Sequence, residues 1–266
     1  MEPSNEDYEK IGLLKTKVES EYKPSTPEEK EFLIDATYLR YLRARGMDID
    51  KAYAMLIGTL KWRAKVHPET VVCKSCLSNH RSHSMRVIGR DIYSRPVFYS
   101  HFTGIENREP DDNIEHLMWM LESVFTSDIN SAQQYVWVVD YTGFSVSDMN
   151  PSTGKKSLAL FSDQYPERLG KAILLDSPYV FSGLWKILSP IIDSRTHAKV
   201  EFVSLKNRSS AFKIFDANLV ERLDREIQEA RNPKILKDKN WWVDVSEPCP
   251  SRNYRAELKI ESTLSQ

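Results

Sequence analysis

Apolar positions along this 266-residue chain follow two rhythms, one helical and one alternating. From Glu28 to Lys65 the period is helical. Phe32, Ala36, Leu39 and Leu42 fall on one side, and Ile49, Ala52, Tyr53, Leu56 and Leu60 form a second stripe. Thr26-Pro27-Glu28-Glu29 reads as a helix start, with an N-cap, a proline at the first position and acids in the first turn. Gly46 stops the first stripe and Asp48 can cap the second, so the pattern predicts a helical hairpin over 28–65. Upstream, Ile11, Leu14 and Val18 share a face of a leader helix that ends before Pro24 and Pro27.

Beyond His67-Pro68 the rhythm changes. Met85 to Ile88 and Val97 to Phe102 read as the strands of a hairpin. Ile114, Leu117, Met118, Leu121, Val124 and Phe125 return to the helical period. Tyr135 to Val139 is a buried strand, with Tyr135, Trp137 and Val139 on one side of a sheet and Val136 and Val138 on the other. A helix with Leu158, Phe161 and Tyr165 on one face follows. Then come the strands Ala172–Leu175 and Val200–Leu205, and a helix capped by Asp216 that carries Leu219, Val220, Leu223 and Ile227. Strands alternating with helices predict an α/β sheet. The tail has no clear period, and Trp241-Trp242-Val243 is its one expected anchor.

The segment Tyr179 to Ile192 is apolar nearly all round. Val180, Leu184, Ile187, Leu188 and Ile191 keep helical spacing, and Phe181, Trp185 and Ile192 widen the stripe. Ser182, Lys186 and Ser189 make a polar line. The segment is about fourteen residues long, short of the about 20 that a bilayer span needs. A helix of this kind is a core element, or it covers an apolar ligand and touches a membrane surface. Pattern alone does not separate the two.

Composition narrows the classes. Net charge is -1 and 28% of residues are charged, which argues against a nucleic-acid-seeking chain. No apolar run reaches transmembrane length, and the acidic, polar N-terminus does not resemble a signal peptide. Three cysteines fit reduced thiols better than a disulfide scaffold. Cys73, Cys76, His80 and His83 are zinc-compatible ligand types in a stretch that reads as a linker. Their spacing is more compact than in the usual finger, so incidental thiols and histidines are the plainer reading, and a zinc-binding interaction module is the alternative. Ser152-Thr153-Gly154-Lys155-Lys156-Ser157 fails as a phosphate loop, because Met149 stands where a second glycine belongs and two lysines separate Gly154 from Ser157. With no serine elbow, no zinc-protease motif and no paired carboxylates, the chain reads as a non-enzyme.

Three blocks in order resemble the CRAL-TRIO lipid-binding family. They are Tyr38 to Arg45 with Met47 to Ala52 and Leu60-Lys61-Trp62-Arg63; Asp91 to Pro96, with Arg95-Pro96-Val97-Phe98; and Tyr165 to Phe202. The resemblance implies an α/β fold with an N-terminal helical lobe (1–66), a linker (67–84), a lipid-binding domain with a mixed β-sheet floor and a helical gate (85–232), and a C-terminal tail (233–266). It makes Val180, Phe181, Leu184, Trp185, Leu188 and Ile191 the gate helix, with hinges at Asp176 to Pro178 and Asp193 to Arg195. It places Arg45, Glu167, Thr196 and Lys199 where the family's inositol-phosphate contacts stand, and it supplies no metal to the linker.

The function implied is that of a cytosolic, transiently membrane-associated carrier that needs no cofactor beyond its lipid. Phosphatidylinositol would be exchanged with a second lipid in support of phosphoinositide signalling. Its expected partners are membrane lipids and a lipid kinase, not nucleic acid, and it is expected to be a monomer. Tyr135 and Trp137 stand where phosphatidylcholine binders of the family carry small hydroxyl residues, and their bulk argues against that lipid. Arg168, shared with that group, does not restore the site. Gly46 replaces a second basic residue, and Leu223 to Ile227 replaces the family's Gly-Gly ending. The alternative is a carrier of a sterol, a tocopherol-like molecule or another apolar ligand, without phosphoinositide binding.

Overall fold

The computed structural model describes residues 3–125 and 133–238. Trp241-Trp242-Val243 lies outside them. The chain divides into two units, one of residues 1–68 with 159–168 and the other of residues 69–158 with 169–266.

The first unit is helical. α1 (Asn5–Glu21) starts in a capping box, in which the Ser4 hydroxyl accepts from Asp7 N and the Asp7 carboxylate accepts from Ser4 N. α2 (Pro27–Phe32) starts in a second box built by Thr26 and Glu29. The expected single helix from Glu28 is broken. Leu33 and Ile34 leave the helical conformation and α3 (Asp35–Ala44) begins anew. Successive helical side chains point about 100° apart. Phe32 and Leu33, on either side of the break, both pack partly buried on the core of this unit. α4 (Ile49–Val66) is capped by Asp48, as expected, and ends at a left-handed His67. Ile11, Leu14, Val18, Tyr38, Leu39, Tyr41, Leu42, Leu56 and Leu60 fill the interior. Residues 159–168 belong here too. The Thr59 hydroxyl donates to Asp163 O at 3.0 Å, Tyr41 OH to Gln164 O at 3.3 Å, and Trp62 meets Tyr165 edge to face.

The second unit opens with the short α5 (Lys74–Ser78) and is built on a five-stranded sheet ordered β1-β2-β3-β4-β5. β1 (Arg86–Arg90) and β2 (Pro96–His101) form an antiparallel hairpin. Its turn is closed by buried Asp91, whose carboxylate accepts from Tyr93 N, Arg95 N and Arg95 Nε at 2.7–3.0 Å. β3 (Tyr135–Asp140), β4 (Leu169–Leu175) and β5 (Val200–Val203) are parallel, so the sheet is mixed. The parallel strands are linked through α6 (Pro110–Phe125), through α7 (Pro151–Asp163), and through α8 (Phe181–Leu188) with α9 (Ser194–His197). α10 (Ala217–Ala230) and α11 (Pro233–Asp238) follow.

Strand alternation gives the sheet two apolar faces. Val97, Tyr99, Val136, Val138, Ile173 and Leu175 pack on Leu219, Leu223 and Ile227 of α10. Trp137, Val139 and Leu174 pack on the other side, against α8. The two sides of β3 are divided as its alternation predicts. Asp140, at the end of β3, is fully buried and accepts from Tyr99 OH and from Thr142 N and Oγ1, so Asp140-Tyr141-Thr142-Gly143 is a structural turn.

Candidate functional site

The apolar segment after β4 is shorter as a helix than its pattern implies. α8 runs only from Phe181 to Leu188, and Ser189–Ile191 tightens into a 3₁₀ turn. Pro190 has no N–H for the helical ladder, which ends the helix at that point. Phe181, Leu184 and Leu188 are buried against Val139, Tyr141 and Leu174 on the front of the sheet. Trp185 is half-buried, with its ring 5.1 Å from Phe202 and 5.5 Å from His197. Val180 and Ile191 face outward. So do Tyr179, Ile187 and Phe202, which were not among the expected gate residues, and Tyr179 is 92% exposed. One side of the segment therefore seals the sheet while the other offers apolar surface to solvent.

Carboxylates hold both ends of this segment. Asp176, left-handed at φ 48°, accepts from Leu205 N and Arg231 Nη2 at 2.9 and 2.8 Å. Partial burial works to raise its pKa, but these bonds and the Arg231 charge outweigh it, and the pKa stands below its usual 3.8. Asp193 caps α9, accepting from Arg195 N and Thr196 N. Burial opposes its ionisation as well, and the bonds from Thr196 and Arg195 leave its pKa lowered.

The four expected head-group residues occupy distinct local settings. Thr196 and Lys199 share one turn of the second unit, where Lys199 N donates to Thr196 O at 3.0 Å just before β5. Arg45 is exposed at the C-cap of α3 in the first unit. Glu167, in the same unit, follows Pro166 in a turn closed by Arg168 N on Tyr165 O, and its φ is 58°. A residue after proline with positive φ matches a type II turn, where glycine is usual. Keeping a glutamate there costs about 1–3 kcal/mol of backbone strain, a common mark of functional positions. Arg168 is buried beside it.

In the second-ligand region, Tyr135 is buried with its ring 5.1 Å from Phe98, and burial pushes its pKa up. Trp137 donates from Nε1 to Ser100 Oγ at 2.9 Å. Both side chains are built into the sheet's front layer. Gly154 lies inside α7, not in a loop, and a Cβ there would come 2.7 Å from Leu188 Cδ1. This glycine leaves room for Leu188 of α8.

The cysteine and histidine cluster differs from its sequence reading. His80 is exposed and stands outside it. Cys73, Cys76 and His83 instead meet His116 of α6, all four buried, with their ligand atoms within 4.8 Å of one another. The two thiols are unequal. Cys73 is pushed far down by its hydrogen bond with Cys76, against the opposing effect of burial. Cys76 is pushed up by that bond and by burial. Burial also lowers the His116 pKa. The other residue that local spacing missed is Arg40, buried and donating to Pro166 O and Thr37 Oγ1 beside the Glu167 turn.

Comparison with known proteins agrees with this architecture. The CRAL/TRIO domain matches residues 80–224, and the CRAL/TRIO N-terminal domain matches residues 10–58. The chain is 26% identical to the SEC14 cytosolic factor of Candida glabrata, over 91% of this chain and 87% of that protein. It is also 26% identical to phosphatidylinositol transfer protein PDR17 of Saccharomyces cerevisiae, over 68% of this chain and 55% of that one. Other curated relatives are longer, and the chain spans 48% and 21% of the length of two of them. The crystal structure of Sfh5 superposes with a TM-score of 0.65 at 15% identity, covering 100% of both chains, which is a likeness of fold.

Proposed function

Because the chain belongs to the CRAL/TRIO family, we propose that it is a non-catalytic lipid carrier. In this reading it holds one lipid against the front of the sheet beneath α8, and the lipid is phosphatidylinositol, exchanged with a second lipid that is not phosphatidylcholine. The observation that carries the reading is the two-sided gate. Phe181, Leu184 and Leu188 are seated on the sheet while Tyr179, Ile187 and Ile191 stand exposed. Acyl chains gain about 0.8 kcal/mol per buried methylene, so a carrier must lower the cost of exposing them during exchange. A short apolar segment hinged at Asp176 and Asp193 can do this by lifting from the sheet onto a membrane surface. No described helix is long and apolar enough to cross a membrane. Peripheral contact from the cytoplasm, as a monomer that presents lipid to a kinase, completes the reading.

Support for the head group comes from Thr196 and Lys199 on one turn, a hydroxyl and an ammonium suited to a phosphate, from the strained Glu167, and from the similarity to phosphatidylinositol transfer protein PDR17. Support against phosphatidylcholine comes from the bulk of Tyr135 and Trp137. The test is lipid extraction with native mass spectrometry, followed by transfer assays with labelled phosphatidylinositol and phosphatidylcholine. Phosphatidylinositol should be bound and moved, phosphatidylcholine should not, and Glu167→Ala with Lys199→Ala should abolish transfer in a folded protein. Recovery of a sterol or another apolar molecule, with no phosphatidylinositol, would overturn the head-group assignment.

A further inference from the structure

We propose that Cys73, Cys76, His83 and His116 form a structural zinc site that ties the segment before β1 to α6. Tetrahedral zinc with bonds of about 2.3 Å to sulfur and about 2.0 Å to nitrogen sets its ligand atoms roughly 3.3–3.8 Å apart. The Cys76 Sγ to His83 Nδ1, Cys73 Sγ to His83 Nδ1 and Cys76 Sγ to His116 Nδ1 separations are 3.3, 3.5 and 3.5 Å. All four side chains are buried, and they supply two sulfurs and two nitrogens, a donor set that selects zinc over harder cations. Four protein ligands leave no open position, which is the mark of a structural site.

The surroundings orient these ligands. His116 Nε2 lies 3.0 Å from Met85 O and donates to it, so the proton sits on Nε2 and the Nδ1 lone pair is aimed at the sulfurs. His83 stacks on His116 with centroids 4.6 Å apart, and its Nε2 is buried with no hydrogen-bond partner among the described residues. Its polar anchorage therefore comes through Nδ1, on the side of the thiols. The strands of chain that bear the ligands are pinned together as well. Lys74 N donates to Glu115 Oε1, Ser75 Oγ to Asp112 Oδ2 and Ser82 Oγ to Ser75 O, at 2.8–2.9 Å. Such contacts hold α5 and the following loop against α6 and fix the four donors in place.

The proposal is independent of the bound lipid. It is tested on the full chain, purified without chelator or metal-affinity resin, by elemental analysis and by cobalt substitution of the wild-type protein. About one zinc per chain is expected, and cobalt should give the intense d–d bands of a tetrahedral site together with thiolate charge transfer. His116→Ala and Cys76→Ser should lose the metal, while His80→Ala should retain it in full. A folded wild-type protein with reduced thiols that takes up neither zinc nor cobalt would overturn the proposal. So would isolation of a Cys73–Cys76 disulfide as the resident form, or equal loss of zinc in His80→Ala and His116→Ala.

Discussion

Leu188 Cδ1 lies 2.7 Å from the point a Cβ on Gly154 would occupy. α8 thus rests in a notch in α7 that the missing side chain of Gly154 leaves open. The neighbour is the end of a leucine side chain, so alanine can be accommodated by a rotamer change. Gly154→Ala should leave the thermal midpoint nearly unchanged, since a helical alanine gains up to about 1 kcal/mol over glycine and offsets the crowding. Gly154→Leu cannot be absorbed that way and should lift α8 from its seat. Amide exchange over 181–188 should rise at least about tenfold in Gly154→Leu, a loss of local protection of about 1.4 kcal/mol, with the strand amides unaffected.

The outward side of the same segment makes a different prediction. Ile187 and Ile191 are 48% and 56% exposed, so replacing both with serine should change stability by less than about 0.5 kcal/mol each. Partition onto vesicles should fall at least about tenfold, because each isoleucine contributes about 1 kcal/mol or more on entering an apolar phase. Flotation with vesicles, paired with urea denaturation, reads both quantities. Unchanged partition would mean that this face does not meet the membrane.

Arg86 on β1 and Glu226 on α10 form an ion pair that is almost fully buried, and Arg86 Nη1 also donates to Ser84 O at 2.7 Å. The pair joins the edge hairpin to the helix that backs the sheet. Glu226→Ala leaves the buried guanidinium without its carboxylate, and a loss of about 3–5 kcal/mol is expected in urea denaturation. Replacing both partners with apolar residues of similar volume should recover most of that loss.

Much of this architecture was legible in the sequence because it rests on periods. The alternation of β3 separates Trp137 and Val139 from Val136 and Val138, and the fold then sets the first pair against α8 and the second against α10. The cap at Asp48 needs only one side chain and its neighbours. Local strings also misled. Pro190 was a visible stop inside the apolar run, yet the helical period around it masked the stop. In sequence the metal-like cluster is four near neighbours, whereas in the fold its fourth member is His116, brought in by the packing of α6. The signal for His116 was a polar residue on a helix beside buried Trp119 and Met120, and only tertiary structure shows what it faces. Resemblance alone singles out Glu167 as a head-group contact; its left-handed backbone is a fact of the fold that no period encodes.

Asp176 and Asp193 give the gate a defined pH dependence. Both carboxyls have pKa values below their ordinary 3.8, because hydrogen bonds to the ionised form outweigh burial. A depressed folded-state pKa contributes stability that is fully present above the unfolded value and lost as pH falls through the folded one. The carboxylate anchors before α8 and at the cap of α9 should therefore be unchanged from neutral pH down to about 5, and should weaken only below about 4. Exchange protection over 181–199, followed from pH 7 to pH 3 and corrected for intrinsic rates, should stay flat and then drop. In Asp176→Asn the bond from Arg231 Nη2 loses its charged acceptor, so protection near the first hinge should already be reduced at neutral pH and fall less in acid. A decline beginning between pH 7 and pH 5 in the wild-type protein would overturn the assignment of this acid sensitivity to the two carboxylates.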